Sequence, residues 1–149
     1  MGADLHIPED ATAEEGVSGC CVDSERGYQM AASRVAADDF YRPDLRRLFE
    51  ACGRLDLPGT DLDTREARIA RAAELAGVAV DQVRRIVDDR PLQWDTNGTL
   101  AGRVRRAADA RRAMTAARDL FNRLGEGEPL EQVVADLAPD LRRLVGVAS

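Results

Sequence analysis

Residues 99 to 124, TLAGRVRRAADARRAMTAARDLFNRL, contain no proline and one early glycine. Such a run supports an unbroken helix of about 37 Å at 1.5 Å per residue, longer than a small domain is wide. No other feature limits the possible folds as strongly. Leu100, Val104, Ala107, Met114, Ala117, Phe121 and Leu124 form one apolar stripe along it. The Gly-Glu-Gly-Glu at 125–128 then turns the chain, and a last helix from Pro129 carries Leu130, Val133, Val134, Leu137, Leu141 and Leu144. Helices joined by so short a turn lie antiparallel, as a hairpin. The apolar residues nearly encircle the second helix, so one hairpin cannot hide them all. The rest of the chain or another protein must cover the remainder.

Upstream the pattern is also helical. Residues 1–11 read as a flexible acidic tail. Thr12 and Glu15 have capping-box spacing for a first helix, with Val17, Cys20 and Cys21 on its apolar side. Ser24 caps a second helix, directing Tyr28, Met30, Ala31 and Val35 inward. Pro43 suits the first turn of a third, because its missing N–H is not needed there. Leu45, Leu48, Phe49, Cys52 and Leu55 follow at spacings of three and four, with Arg46, Arg47, Glu50 and Arg54 towards water. Phe40 and Tyr41 stand where apolar residues pack back on the first turns, and Pro58-Gly59 end the element. Asp63 or Thr64 opens a fourth helix that packs Ala67, Ile69, Ala73 and Leu75 and stops at Gly77. A fifth, from Val80 to Asp88, buries Val83, Ile86 and Val87. Pro91 breaks it, and Trp94 lies in the connection before Asn97-Gly98. The predicted class is therefore all-α: a compact head of about five helices over residues 12–95, then a helical hairpin over 96–149.

Composition narrows the chemistry. The 149 residues are 44% hydrophobic and 32% charged, with 4% aromatic, and every basic side chain is Arg. Without Lys there is no phosphate-binding GxxxxGK[ST] loop, no Schiff-base lysine and no kinase-type ATP lysine. A net charge of −6 opposes the electrostatics of a duplex-DNA binder. His6 is the only imidazole and no nucleophile has a base at motif spacing, so the expectation is a protein that is not an enzyme and has no cofactor. Cys20, Cys21 and Cys52 read as core residues; they lack the fourth ligand and the spacing of a zinc site. With no signal segment and no long apolar run, the chain is expected to be cytoplasmic, away from membranes.

Two stretches carry a resemblance. AEEGVSGCCVDSE (13–25) and ADDFYRPDLRRLFEAC (37–52) resemble the N-terminal domain of DnaB-type replicative helicases. Ala13, Glu14, Val17 and Gly19 match that family's Ala-Glu-Gln-x-Val-Leu-Gly opening. Asp39 to Pro43, with Phe49, Glu50 and Ala51, match its Glu-Asp-Phe-Tyr-Arg-Pro…Ile-Phe-Glu-Ala signature. DLDT (61–64) and the run from Arg90 into the long helix are similar to later parts of the domain, so the likeness covers roughly residues 8 to 140. Glu15, Ser18, Cys20 and Cys21 depart from the pattern. The resemblance implies a helical head whose hairpin pairs subunits and whose collar docks primase and loaders, without the ATPase motor.

Three functional expectations follow. In the first, the chain is a non-catalytic replication module that forms homodimers or higher oligomers and docks a replicative helicase, primase or helicase loader. Its interface is Leu100, Val104, Ala107, Met114, Phe121, Leu124, Leu130, Val133, Val134, Leu137 and Leu141, while Phe40, Tyr41, Pro43 and Phe49 pack the signature. Arg103, Arg106, Arg111 and Arg118 on the basic long helix are candidate contacts for an acidic partner. In the second, the same fold serves as a phage- or plasmid-type adaptor or decoy for a host helicase or primase. The third is a small nucleic-acid-binding protein using the Arg-rich helix. It is disfavoured because no aromatic residues interleave with the arginines, so direct nucleic-acid binding is expected to be weak or absent.

Overall fold

The computed structural model describes residues 6–55, 64–89 and 98–144, and every regular element among them is helical. Helix α1 (Ala11–Asp23) is buried on nearly all sides, from Ala13 through Val22. Its Gly16, Ser18, Gly19, Cys20 and Cys21 are small, and that lets α2 (Glu25–Ala32), α3 (Pro43–Cys52), α4 (Arg65–Ala76) and α5 (Val80–Asp88) all pack around it. The expected one-sided apolar pattern of α1 is thus too narrow: this helix is the axis of the head. Its start also differs. Asp10, rather than Thr12, supplies the cap, accepting from the Ala13 N–H at 3.0 Å. The segment 1–11 therefore ends in a fixed residue; residues 1–5 lie outside the described set.

Residues that repeat at helical spacing in α3 converge on the core. Leu45, Leu48, Phe49, Cys52 and Leu55 are buried, and the Phe40 ring sits 5.1 Å from that of Phe49, with Tyr28 at 5.3 Å on Phe49. Tyr41 departs from expectation. Its ring is exposed while its backbone N–H is bound, because a short 3₁₀ turn (Ala37–Asp39) aims only Phe40 inward.

In α4, Thr64 caps the start, and Gly77 closes the end in the left-handed region at φ 68°. The Val78 and Gly77 N–H groups reach back to the Ala73 and Glu74 carbonyls, the paired bonds of a Schellman stop. Ile69 and Ala73 are buried as expected; Ala67 and Leu75 are half-buried, while Ala72, Ala76 and Arg68 also face inward. α5 spans the expected residues and buries Val83, Ile86 and Val87. The expected stop at Pro58-Gly59, the Asp63 start, the Pro91 break and Trp94 lie outside the described residues.

Two compact units divide the chain, and α6 (Thr99–Gly125) runs from one into the other. The first, Glu9–Ala107, is the head, and the opening turns of α6 belong to it: Ala101 and Val104 are buried in its core, and Leu100 packs against that core. Of the residues expected at the hairpin interface, Val104 is instead buried in the head and Leu100 is half-buried against its core. The second unit takes the rest of α6 and α7 (Leu130–Leu144), together with the described residues before Glu9. Between α6 and α7, Gly127 adopts φ 88°, and the Glu128 and Gly127 N–H groups return to the Arg123 and Leu124 carbonyls. The Gly-Glu-Gly-Glu turn is a second Schellman stop.

Candidate protein-docking surface

The run at 39–43 is a hydrogen-bonded knot rather than a reactive site. Asp39 accepts the Ala36 N–H at 2.8 Å, closing the 3₁₀ turn. Glu14, 1% exposed, places Oε1 3.0 Å from the Tyr41 N–H and 3.2 Å from the Arg42 N–H, so a carboxylate on α1 sits at the positive N-terminus of α3. The Arg42 guanidinium bridges Glu15 and Asp44, each at 2.7 Å, and Gln82 of α5 donates to Asp44 at 2.8 Å. The Asp44 carboxyl is held below its ordinary value: burial opposes this, but the bonds from Arg42 and Gln82 outweigh it. Glu15 thus serves as a partner of Arg42 instead of closing a capping box on Thr12. These contacts explain why Glu14, Asp39 and Arg42 accompany Phe40, Pro43 and Phe49: together they tie α1, α3 and α5.

A second buried charge does similar work. Arg68 donates to the Val22 carbonyl at 2.8 Å and the Cys21 carbonyl at 3.3 Å, satisfying the C-terminal end of α1 from α4. Only the packing of α4 across the end of α1 reveals its role. Cys20, Cys21 and Cys52 are buried free thiols, and burial, reinforced by the neighbouring thiols, pushes the Cys21 thiol well above its ordinary value. A thiol kept protonated is a poor nucleophile and metal ligand. Among the described residues no cluster of His, Cys, Asp and Glu could hold a metal ion, and no helix is long and apolar enough to cross a membrane.

The arginines of α6 divide into two sets. Arg103 grips Asp10 with two bonds, at 2.7 and 2.9 Å, and this grip is the main reason the Asp10 carboxyl is held below its ordinary value. Arg111 donates to the Pro8 carbonyl at 2.9 Å. The candidate contacts Arg103 and Arg111 are therefore engaged within the chain, whereas Arg106 and Arg118 are exposed.

The hairpin unit has a different surface. On α6, Phe121 is 78% and Leu124 38% exposed; on α7, Leu130, Val134 and Leu141 are 54%, 48% and 41% exposed. Leu130, Val134, Leu137 and Leu141 recur at spacings of four, three and four, so they share one face of α7. Val133, expected at the hairpin interface, is fully buried; Ala107, Met114 and Leu137 are half-buried. Isolated exposed apolar residues are ordinary, but a phenyl ring this open, in one unit with several exposed aliphatic residues, is characteristic of a docking surface. Arg123 clasps the turn. Its guanidinium meets both Glu128 oxygens at 2.9–3.1 Å and Asp136 at 2.7 Å, which folds α7 back on α6. The bonds from Arg123 hold the Glu128 and Asp136 carboxyls below their ordinary values and the Arg123 group above its own.

An all-α head continuing through one long helix into a helical hairpin defines the class. The same fold occurs in the N-terminal domain of DnaB helicase from Mycobacterium tuberculosis, known from its crystal structure. That structure matches with a TM-score of 0.73 over 93% of this chain and 99% of that one, at 23% sequence identity. At that identity the likeness establishes the fold. No protein-family model matches the sequence, and no curated protein matches it.

Proposed function

We propose that this chain is a non-catalytic interaction module of DNA replication, acting by self-association and by docking a replicative helicase, primase or helicase loader in the cytoplasm. The observation that carries this reading is the exposed apolar set on the hairpin, Phe121 with Leu130, Val134 and Leu141, on a fold shared with a helicase N-terminal domain. Its driving force is burial, about 25 cal/mol per Å² of apolar area removed from water. The exposed Arg106 and Arg118 favour an acidic partner over a hydrophobic one without charge.

Sedimentation velocity at tens of micromolar tests self-association. The wild-type chain is expected to sediment as a dimer or larger. Phe121→Asp with Val134→Asp should weaken assembly at least about a hundredfold, since each apolar side chain contributes about 1.5–3 kcal/mol when buried. A monomeric wild type, or indifference to both changes, would sink the self-association part. Capture with purified helicase and primase assigns the partner: retention of helicase alone points to an adaptor or decoy, and retention of primase to the collar role. A gel shift across a salt series checks nucleic acid, where no shift at low salt is expected.

A further inference from the structure

Val133 is the one α7 residue buried to 0% exposure among those described, and apolar contact is non-directional. By itself such packing leaves α7 able to roll or slide along α6. Among the described residues, one side chain makes directional contacts to both the turn and α7. Arg123 Nε and Nη2 reach both carboxylate oxygens of Glu128 in the turn, at 3.1, 3.1 and 2.9 Å. Nη2 also reaches Asp136 Oδ2 on α7 at 2.7 Å, and Gln132 Nε2 braces the other Asp136 oxygen at 2.9 Å. Nη1 lies 3.9 Å from Asp119, one turn earlier on α6. A single exposed ion pair contributes about 0–1 kcal/mol, but forked pairing within a network is the exception. The fork is planar and rigid, so it sets angle as well as distance. Two residues along a helix amount to a rotation of about 200°, so the clasp leaves the Phe121 side uncovered.

We propose that Arg123 is a positioning residue that locks α7 in one register on α6, and so fixes how the exposed apolar face of α7 is presented for docking. The assignment rests on reading that face as a docking surface. Preorganisation of this kind improves binding by removing the ordering cost from the association step.

Hydrogen–deuterium exchange of the full chain provides the test. At neutral pH, Arg123→Ala is expected to lower protection across residues 128–138 about tenfold, with protection in α1 and α3 unchanged, and Arg123→Lys should fall between the two. Association measured by sedimentation should weaken several-fold in Arg123→Ala although no apolar contact is removed. The groups that titrate around the guanidinium are Asp119, Glu128 and Asp136. Glu128 and Asp136 bind protons less readily folded than unfolded, so their contribution is present above their ordinary range and lost as pH falls through their depressed values. Wild-type protection of α7 should therefore drop in acid, relative to intrinsic exchange, and Arg123→Gln should flatten that profile. Unchanged α7 protection in Arg123→Ala, or an identical acid profile in Arg123→Gln, overturns the Arg123 assignment alone. A wild-type chain that stays monomeric and captures neither helicase nor primase overturns the docking reading, and the role of Arg123 in presenting a face with it.

Discussion

Replacing Glu14 by Ala should lower the stability of the chain by about 3–5 kcal/mol, because two charge-assisted bonds are lost and their donors are left behind. The carboxylate is 1% exposed, and a single oxygen accepts from both the Tyr41 and Arg42 N–H groups. Those donors belong to the start of α3, where no helical carbonyl can receive them. Alanine removes the acceptor and the negative charge that faces the helix dipole, and its methyl group admits no ordered substitute. For a chain of this size the melting temperature should fall by about 10 °C or more. Glu14→Gln retains an acceptor oxygen of similar reach and should recover roughly half of the loss, since neutral hydrogen bonds are weaker than charged ones. Thermal unfolding followed by circular dichroism gives the answer. Should Glu14→Ala melt within about 2 °C of the parent, the idea that Glu14 ties α1 to α3 is wrong.

The second large effect is expected at Gly27, where two general arguments give opposite signs. Intrinsic propensity favours Ala over Gly in a helix by about 1 kcal/mol. The local geometry forbids it. A Cβ built at Gly27 would lie 2.2 Å from the Cys20 carbonyl oxygen and 2.9 Å from its carbon, both backbone atoms of another helix. The same oxygen receives the Ser24 N–H, and Ser24 Oγ accepts the Gly27 N–H at 3.1 Å, so the junction of α1 and α2 has no slack. Separating them should cost about 3 kcal/mol, enough to outweigh propensity. Gly102 is the internal control: its added methyl would meet only the tip of Arg106, at 3.5 Å, within α6. Gly102→Ala should therefore raise stability by about 0.5–1 kcal/mol. Urea unfolding of both variants separates the arguments. A stabilised Gly27→Ala would mean that the close approach of α1 and α2 is not a constraint on the fold.

Local patterns were sufficient for much of this molecule. Pro43, Ser24, Thr64 and Gly77 act on backbone within a few residues of themselves, so their roles as starts and stops are legible in the chain. The same holds for the α5 stripe of Val83, Ile86 and Val87, which needs only the helical repeat. The all-α class follows from the same start and stop signals and the same helical repeat.

Positions whose partners are distant in sequence were settled by tertiary packing alone. Glu14 finds its partners 27 and 28 residues away, Arg68 reaches back 46 and 47 residues, and Arg103 meets Asp10 across 93. Each is a charged residue, a type that is mostly solvent-exposed, and each finds its partner because another helix end brings unpaired backbone groups or an opposite charge. The stripe on the long helix shows the same division. Its spacing puts Leu100, Val104 and Phe121 on one face, but a helix that passes from one compact unit to another has different surroundings along its length. Val104 is covered by the head, Leu100 partly so, and Phe121 is left open. Repeat spacing determines which side of a helix a residue occupies; what lies against that side depends on chain segments that only the folded structure brings near.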